Sequence, residues 1–514
     1  MSEAQHPRAA PQESLFGADE LPLAPAQGVP TAMVPATAAA PRVLQARRDL
    51  VELRPFDLEA TLAHDHAARA VWAFVQALDI KPLYAQIRSV QGGAGAPAID
   101  PAILVALWLW ATVDAVGSAR EVARLCERDD AYRWLCGGVG VNHHTLADFR
   151  TAHGQWLDEQ LSRSIAALMQ RKLVTLEVVA QDGLRVRAAA KAASFRRLSK
   201  LQQLQQQARQ QVQALKAELD ADSSASTRRK QAARERAARE REQRLAQALQ
   251  TLQDLEQRAA ERTAGKAGRR KALGHSARNR NDDPPPPPSG SPIAEPASIA
   301  EPASSAPPGA NDGAKTTKAA KAARKRELRA STTDPQAQVM KMADGGFRPA
   351  YNVQLAVDEA TQLIAAVQVV NEGSDMHCML PMHASIEERY GHTPDYWLAD
   401  GGYPKHQAIE ELSLRGTQPV IPPARSRKPD FDPLAPQASD TAPLAQWRRL
   451  MASAKGQQLY KRRAASVECA NAQLRRRGLL QLNVRGLLKA KAVALWHALA
   501  HNLMRMRSLG LQIA

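Results

Sequence analysis

Residues 56–168 place apolar and polar side chains at the spacing of α-helices. One apolar face near the start of this region consists of Val71, Trp72, Phe74, Val75 and Leu78. Asp100 directly before Pro101 is typical of an N-cap followed by proline at the first helical position. Ser118 and Glu121 have the spacing of a capping box. The pattern predicts a series of short helices that form an all-helical N-terminal domain.

Two further features of this region bear on DNA binding and on metal ligation. Thr145 and Asp148 have the form of a second capping box, and the short helices between 120 and 150 are compatible with a helix-turn-helix. We therefore expect the domain to bind DNA. His143 and His144 are adjacent, but paired histidines just before a capping threonine are typical of a loop, so a metal site there is the weaker interpretation.

A strand and a long insertion follow the helical region. Residues 174–180 are apolar and rich in β-branched side chains, which favours a strand that ends at Asp182, in the first part of a second domain at 172–190. Two leucine-rich stretches then repeat at spacings of three and four on either side of a turn at 221–226. Their members are Leu198, Leu201, Leu204, Ala208, Val212, Leu215 and Leu219, then Leu245, Leu249, Leu252 and Leu255. We expect an inserted helical hairpin of coiled-coil type over 191–262.

Two segments have compositions that do not support a packed core. Residues 1–50 are rich in Ala and Pro without a sustained period, and residues 263–330 contain a polyproline run at 284–288 and a repeated hexapeptide. We expect a disordered leader and a disordered basic, proline-rich linker. The basic tract at 315–329 fits a phosphate contact and a merely solubilising role equally well.

Residues 331–508 alternate between strands and helices. Residues 351–357 alternate in polarity, a turn follows at 358–361, and 362–370 completes a predicted β-hairpin. The next predicted elements are a helix at 376–389, a strand at 396–399, a helix at 406–414, a strand at 418–421 and a long helical stretch from Leu444. Asp400 follows the second of these strands, and Glu468 lies on the last helical stretch.

The charge balance indicates a partner for the chain. Of its 514 residues, 69 are Lys or Arg and 52 are Asp or Glu, which gives a formal net charge of +17. Such a protein is attracted to polyanions, so we expect DNA or RNA as partner. Four scattered cysteines support neither a disulfide framework nor a structural zinc site. The longest apolar run, 102–113, is too short to span a membrane, and we expect a cytoplasmic, nucleoid-associated protein.

Three carboxylates are candidates for metal-dependent phosphate chemistry. Asp182 and Asp400 each follow a predicted strand, and Glu468 lies on a helix. Two magnesium ions held by such oxygens can activate an attacking oxygen and stabilise a leaving one. Turn formation is the alternative role for the two aspartates, and a surface ion-pair network is the alternative for Glu468. The rival carboxylates are Asp334, Asp358 and Asp375 for the second position and Glu410 and Glu411 for the third.

The element order and the local sequences resemble the DDE transposases of bacterial insertion sequences. The resemblance is carried by Ala-Gln-Asp-Gly at 180–183, Ser-Thr-Thr-Asp-Pro at 331–335, Tyr-Asn-Val-Gln at 351–354, Leu-Ala-Asp-Gly-Gly-Tyr at 398–403 and Tyr460-x-x-Arg463-x4-Glu468. Asp-Pro at 100–101, Ser-x-Arg-Glu at 118–121, Arg-Trp-Leu at 133–135 and residues 144–150 are similar to the helical domain that precedes their catalytic domain. The resemblance implies an α/β fold with a ribonuclease-H-like mixed sheet flanked by helices.

The same resemblance implies a function and a set of site residues. A magnesium-dependent transposase, with Mn²⁺ as a possible substitute, would cut at the terminal inverted repeats of its element and join them to target DNA, acting as a homodimer. Asp182, Asp400 and Glu468 would be the catalytic metal ligands, with Asp182 bridging both ions. In related transposases a tyrosine, an arginine and a lysine of one signature contact the DNA ends, which corresponds here to Tyr460, Arg463 and Arg475. The glutamate spacing is longer by one, and Arg475 stands where lysine is expected.

Three hypotheses about function remain open from the sequence. The first is the transposase, the second is a nuclease of the same fold that hydrolyses DNA without strand transfer, and the third is a DNA-binding protein without catalytic activity. Arg463 is likewise open between two roles. Its guanidinium suits a bidentate phosphate contact, and an ion pair with Glu468 is the alternative.

Overall fold

The computed structural model describes residues 56–89, 96–221, 225–276, 328–403, 405–424 and 431–511. The predicted leader at 1–50 lies outside these residues, as does most of the predicted linker at 263–330. Within the described ranges, no helix is both long enough and apolar enough to cross a membrane.

The N-terminal region is helical, as the sequence predicts. Its helices are α1 Ala67–Ala77, α2 Lys81–Tyr84, α3 Pro101–Val113, α4 Ala119–Arg128, α5 Asp130–Cys136, α6 His143–Ala152 and α7 Gly154–Gln170. The Asp100 side chain accepts a hydrogen bond from the Ala102 amide at 2.8 Å, and Ser118 accepts one from Glu121. Both predicted N-caps are confirmed. Helix α3 is buried on nearly every face, so it forms the centre of this region.

The start of α6 differs from the prediction. Thr145 lies inside the helix, and the cap is Asn142, whose side chain accepts from the Thr145 amide at 2.9 Å. His143 and His144 are therefore the first helical residues rather than loop residues. The amide oxygen of Asn142 is placed to satisfy an N–H group of the first turn, which the Thr-x-x-Asp pattern had assigned to Thr145.

A mixed sheet forms the centre of the second region. The strands are β1 Val178–Arg187, β2 Phe195–Arg196, β3 Ala330–Ser331, β4 Gln338–Lys341, β5 Phe347–Asp358, β6 Ile364–Val370, β7 Tyr396–Leu398 and β8 Gln418–Val420. The main sheet has the strand order β4-β5-β1-β7-β8. Strand β6 also pairs with β5, but with a different part of that strand from the part that pairs with β4. Strands β6, β5 and β1 are antiparallel, whereas β1, β7 and β8 are parallel. This is a ribonuclease-H-like arrangement, and it confirms the predicted fold class.

Strand β1 corrects one prediction. It does not end at Asp182 but continues to Arg187, because the long strand β5 pairs with it throughout, from Val179 with Asp358 to Arg187 with Ala350. The parallel partner β7 is short and pairs only as far as Ala180. Asp182 therefore lies in mid-strand, at the level where the parallel half of the sheet ends.

Helices cover the sheet and connect it to the N-terminal region. They are α10 Met379–Tyr390, α11 His406–Leu414, α12 Ala442–Ala452, α13 Ala454–Arg463, a π-helix Ala464–Glu468, α14 Cys469–Arg476 and α15 Leu487–Ser508. The predicted single helical stretch from Leu444 is thus divided. Helix α15 is largely buried, with Trp496 donating to the Arg150 carbonyl and Asn502 bonded to both backbone groups of Ile364. Residues Asp57–Ala514 group as one compact unit.

The insertion contains the predicted pair of helices, α8 Leu198–Ala221 and α9 Ala225–Ser276. Leu201, Ala208, Leu245, Ala248 and Leu252 form a small core of their own. Helix α9 continues past the predicted limit of 262 and ends at Ser276. The two ends of the insertion are joined by strands β2 and β3, which pair antiparallel.

Candidate active site

Two aspartates meet where the parallel strands end. Ala180 of β1 pairs with Leu398 of β7, and each is followed two residues later by an aspartate, Asp182 and Asp400. Because the two strands are parallel and in this register, the residues that follow Ala180 and Leu398 lie at the same level, although β1 itself continues beside β5. Asp182 and Asp400 are therefore neighbours, although the insertion separates them in the sequence.

Asp182 is held by three contacts and is largely desolvated. Its Oδ1 accepts from the Gly183 amide at 2.9 Å and lies 3.2 Å from Nη2 of Arg463, and its Oδ2 accepts from Nδ2 of Asn471 at 2.9 Å. Burial raises the pKa of Asp182. The charge of Arg463 and the Gly183 amide oppose this rise, and the nearby charges of Asp400 and Asp375 add to it.

Asp400 lies in a tight turn that glycine permits. Its Oδ1 accepts from the Gly402 amide at 2.7 Å, and a Cβ on Gly402 would approach the same oxygen to 2.9 Å. A larger residue at 402 would displace this carboxylate. Asp400 can therefore both form the predicted turn and serve in the site, because the turn fixes its carboxylate just after β7.

Glu468 is positioned by the π-helix. A π-helix bonds i to i+5, so residues five apart lie on the same face. Arg463 and Glu468 have this separation, and Nη1 of Arg463 lies 2.7 Å from Oε1 of Glu468. The extra residue in the Arg463-x4-Glu468 spacing is thus absorbed by one widened turn. Glu468 remains half exposed, whereas the Arg463 side chain is 8% exposed.

Arg463 connects two of the three predicted carboxylates. Burial is the largest single influence on its pKa and lowers it, but the neighbouring groups, with Asp182 and Asp400 first among them, together raise the pKa above its ordinary value. The arginine therefore balances negative charge in the site. This contact set favours the ion-pair alternative for Arg463 in the DNA-free protein.

A buried network of hydrogen-bonded side chains lies next to Asp182 and Gly183. Nε2 of Gln354 donates to Asp375 at 2.7 Å, and Oε1 of Gln354 accepts from Tyr403 at 2.5 Å and from Gln181 at 2.9 Å. Gly183 lies against this network. A Cβ at 183 would come within 2.7 Å of Asn352 Oδ1 and would clash with Gln354 and Asp375. A side chain at 183 would therefore force these hydrogen-bonded groups to move.

The rival carboxylates have other partners, with one exception. Asp334 accepts from the Tyr351 hydroxyl and the Gly486 amide, and Asp358 caps the β5–β6 turn through Thr361. Glu410 accepts from Thr441, and Glu411 pairs with Arg415. Asp375 alone among these five influences the Asp182 pKa. It belongs to the supporting network, where it pairs with Arg185 at 3.2 Å.

The donor set fits a divalent cation only in part. Magnesium prefers carboxylate oxygens, and Asp182 with Asp400 supplies them at adjacent strand ends. Glu468 is directed to Arg463 instead. Among the residues that the structure describes, no group of three or more His, Cys, Asp or Glu side chains is placed to hold a metal ion together. A third carboxylate ligand would therefore require Glu468 to leave Arg463.

Tyr460 and Arg475, the other predicted DNA contacts, have different surroundings near this site. Tyr460 is partly buried against the core and contributes to the electrostatic environment of Arg463. Arg475 is exposed and lines a cleft of about 270 Å³ that also includes Gly183. Three more arginines line the cleft, namely Arg185, Arg187 and Arg348. Asp344 also lines the cleft and pairs with Arg348, so the described lining of the cleft beside Gly183 has four arginines against one carboxylate and is basic on balance.

Asn471 is the site residue that sequence reasoning missed. It is 8% exposed, donates to Asp182 and leaves its own Oδ1 buried without a hydrogen-bond partner. Its position three residues after Glu468, about one helical turn on, is the signal that could have identified it. An asparagine on a helix has no such meaning until the helix is placed against β1.

Comparison with known families follows the same division of the chain. A family model described as "Transposase DDE domain" matches residues 315–503, and one described as "Transposase domain (DUF772)" matches residues 56–152. Together the two matches cover more than half of the chain. The first includes Asp400 and Glu468 but begins after Asp182, whose assignment rests on the strand register. No curated protein and no solved structure matches the chain.

Proposed function

Because this chain belongs to the DDE transposases of insertion sequences, we propose that it cuts DNA at the ends of its own element and joins those ends to target DNA. Members of this family are polynucleotidyl transferases that generally use divalent metal ions. The observation that carries the proposal is the register of β1 and β7, which brings Asp182 and Asp400 together. We propose Mg²⁺ as the ion, with Mn²⁺ as a substitute.

The carboxylates have distinct tasks in this proposal. Asp182 and Asp400 would hold the metal, and Glu468 would join them after release from Arg463. When bound, divalent ions activate the attacking oxygen and stabilise the leaving one. Asn471 and the Gly183 amide orient Asp182. Water would attack the phosphorus at the element's end and lose a proton to solvent, and the bond from phosphorus to the 3′ oxygen would break, leaving a 3′-hydroxyl on the element and a 5′-phosphate on the flanking DNA. That 3′-hydroxyl would then attack a target phosphodiester and displace the target's own 3′ oxygen, which leaves as a 3′-hydroxyl.

The arginines would guide DNA to these carboxylates. The cleft formed by Arg185, Arg187, Arg348 and Arg475 continues from Gly183. We propose that it holds the backbone next to the cut, and that Tyr460 and Arg463 contact the element's end once Arg463 has exchanged Glu468 for a phosphate. Arginine suits this exchange, because its planar fork binds carboxylate and phosphate alike.

The remaining assignments follow from the family and the charge. We propose that the helical region at 56–168 recognises the terminal inverted repeats, that two copies assemble on the paired ends, and that the protein resides with the nucleoid. The hairpin of α8 and α9 is a further candidate for DNA or subunit contact.

A strand-transfer assay on an end fragment and a target plasmid tests the proposal. We expect wild-type protein to nick and join in Mg²⁺, and Asp182→Asn and Asp400→Asn to lose both steps while still binding the end. Since a metal supplies several kcal/mol, the loss should be at least about 10³-fold. Asp395→Asn, an exposed carboxylate at the opposite end of β7, is the matched control and should retain full activity.

The same assay separates the alternatives. Nicking without joining would indicate a nuclease, and end binding without nicking in either Mg²⁺ or Mn²⁺ would indicate a DNA-binding protein. The salt dependence of end binding tests the arginines. Arg463→Ala and Arg475→Ala should each reduce the slope of log affinity against log salt by about 0.9, whereas Glu468→Gln should leave it unchanged.

A further inference from the structure

A second concentration of charge lies away from the carboxylates. A cavity of about 180 Å³ is enclosed between the end of α3, the end of α6, the segment after α14 and helix α15. Three basic side chains line it: Arg150, Arg477 and His497. Within the described residues, its wall contains no aspartate or glutamate. The cavity therefore has a positive interior that the DDE chemistry does not use.

Arg150 is the more deeply buried of the two arginines. It is 8% exposed, its Nη1 donates to the Gly117 carbonyl at 2.6 Å, and its guanidinium lies 4.6 Å from the Trp108 ring centroid. Its Nε is buried without a hydrogen-bond partner. Burial lowers the pKa of Arg150 to about 10. The carbonyl and the indole ring hold the side chain in place but supply no negative charge.

Arg477 and His497 also line the cavity, and their hydrogen bonding is likewise incomplete. Nη1 of Arg477 is buried and lacks a partner, and burial together with Arg476 lowers its pKa. The two nitrogens of His497 lie 2.8 Å from the Val493 carbonyl and 3.3 Å from the Arg477 carbonyl. A neutral imidazole donates through only one nitrogen. Burial lowers the pKa of His497 to about 4, so at neutral pH the imidazole donates a hydrogen bond to only one of these two carbonyls.

Buried cations without a counter-charge are costly, and this arrangement persists in a cavity with room for a ligand. We propose that the cavity binds a phosphate group through the guanidinium groups of Arg150 and Arg477. A tetrahedral oxyanion fits the volume of about 180 Å³ and can accept charge-assisted hydrogen bonds from the two guanidinium groups that line it. Doubly charged inorganic phosphate balances both arginines, and a backbone phosphodiester balances one of them. The exposed amides of Gln481 and Asn483 lie at the rim and can donate to its outer oxygens.

The phosphate has two possible sources, free phosphate and a DNA backbone. The cavity opens at exposed residues, which include Ala115 and Gly478 in the left-handed region with φ of 59° and 90°. A backbone phosphodiester can approach such an opening. Binding of DNA here rests on the proposed function, whereas binding of free phosphate does not.

Calorimetric titration with inorganic phosphate, at constant ionic strength and without divalent metal, tests the site. We expect saturable binding to the full-length protein, at least about tenfold weaker in Arg477→Gln, because a charge-assisted pair of hydrogen bonds is lost. The matched control is Arg476→Gln, which removes the same charge one residue away from an exposed position outside the cavity wall. It should bind phosphate as wild type does. Arg477→Lys, which keeps the charge, guards against a folding defect and should bind with intermediate affinity.

A second arm identifies the source. If a DNA phosphate occupies the cavity, phosphate should compete with end DNA for wild type but not for Arg477→Gln; if free phosphate occupies it, DNA binding should be indifferent to both. Asp182→Asn should bind phosphate normally, so that loss of catalysis and loss of this site remain distinguishable. The proposal is overturned if wild type shows no saturable phosphate binding, or if Arg476→Gln weakens it as much as Arg477→Gln does.

Discussion

Two buried arginines, Arg463 beside the carboxylates and Arg150 in the basic cavity, are 6% and 8% exposed as whole residues but have opposite electrostatic surroundings. Arg463 pairs with Asp182 and Glu468, and its pKa is raised. Arg150 contacts a carbonyl and an indole ring, and burial lowers its pKa to about 10. Burial is the same, so the neighbours decide the electrostatic state.

The difference indicates what each region lacks. In the carboxylate site the protein supplies its own cation, so a metal ion at the proposed site would have to compete with Arg463 for Glu468. In the described lining of the cavity the charged side chains are arginines alone, so the proposed phosphate would supply the missing negative charge. The first region has its counter-charge within the chain, and the second would take its counter-charge from a ligand.

The largest effect on this comparison should come from Asn471. Asn471→Ala removes a donor to Asp182, and loss of such an orienting partner typically costs 10–100-fold in metal affinity or activity. Cleavage should fall by about that factor, and its acidic limb should move to higher pH, because a hydrogen bond to the charged carboxylate is lost. End-DNA binding should not change. Gln473→Ala on the same helix is the control, and an unshifted pH profile would argue against an orienting role.

A comparison of thermodynamic stability comes next. Arg463→Met leaves Asp182 buried without its cation, which costs about 3 kcal/mol for a broken buried pair. Arg150→Met removes a cation that has no counter-charge, and the expected loss is about 1 kcal/mol, mostly the contact with Trp108. Urea unfolding followed by tryptophan fluorescence measures both. Equal losses would show that the two arginines are not in different electrostatic states.

The pH dependence of stability tests the charge of Asp182. The folded-state pKa of Asp182 is raised above the ordinary value of 3.8, so the folded protein binds a proton at this carboxyl more tightly than the unfolded chain does. The stability that this proton contributes is fully present below pH 3.8 and is lost as the pH rises through the folded-state pKa. Asp182→Asn cannot ionise. In EDTA it should melt slightly above wild type at pH 7, and the gap should close below about pH 4. A variant that melts lower at pH 7 would mean that Arg463 overcompensates the burial of the carboxylate.

The smallest effect is expected from removing the extra residue of the π-helix. Deletion of Ala464 leaves Arg463 and the glutamate four apart, which is one turn of an α-helix, so the pair and the flanking helices can stay in place. The melting temperature should change little. Deletion of the buried Ala470 in α14 cannot be absorbed in this way, because no π-helical turn is available there to convert into an α-helical one. It should disrupt the site by moving Asn471 away from Asp182. Equal damage from both deletions would contradict this account.

Periodicity was enough for most of the fold. The predicted helix at 406–414 has the observed bounds, and the hairpin of β5 and β6 and the caps Asp100 and Ser118 are confirmed. These features depend on local pattern and local hydrogen bonds. The predicted end of β1 was wrong because Arg185 and Arg187 are typical of a loop when the sequence is considered alone, whereas in the fold they pair with β5.

The candidate site was predictable in its members and not in its contacts. The signature spacing identified Arg463 and Glu468 and even showed one residue too many, but a π-helix is decided by how the flanking helices are fixed in the core. The roles of Asn471 and Gln354 come from residues distant in sequence. Whether Asp182, Asp400 and Glu468 act on metal stays a prediction.

The pairing of β2 with β3 has a consequence for the design of the whole chain. Phe195 lies opposite Ser331 and Arg196 opposite Ala330, and the hydroxyls of Ser194 and Ser331 are 2.7 Å apart. This pair of strands holds the two ends of the insertion side by side, and Arg258 of α9 pairs with Glu372 beyond it. We therefore expect changes in the length of the insertion to leave the distance between Asp182 and Asp400 unaltered, because β1 and β7 are fixed by their own register.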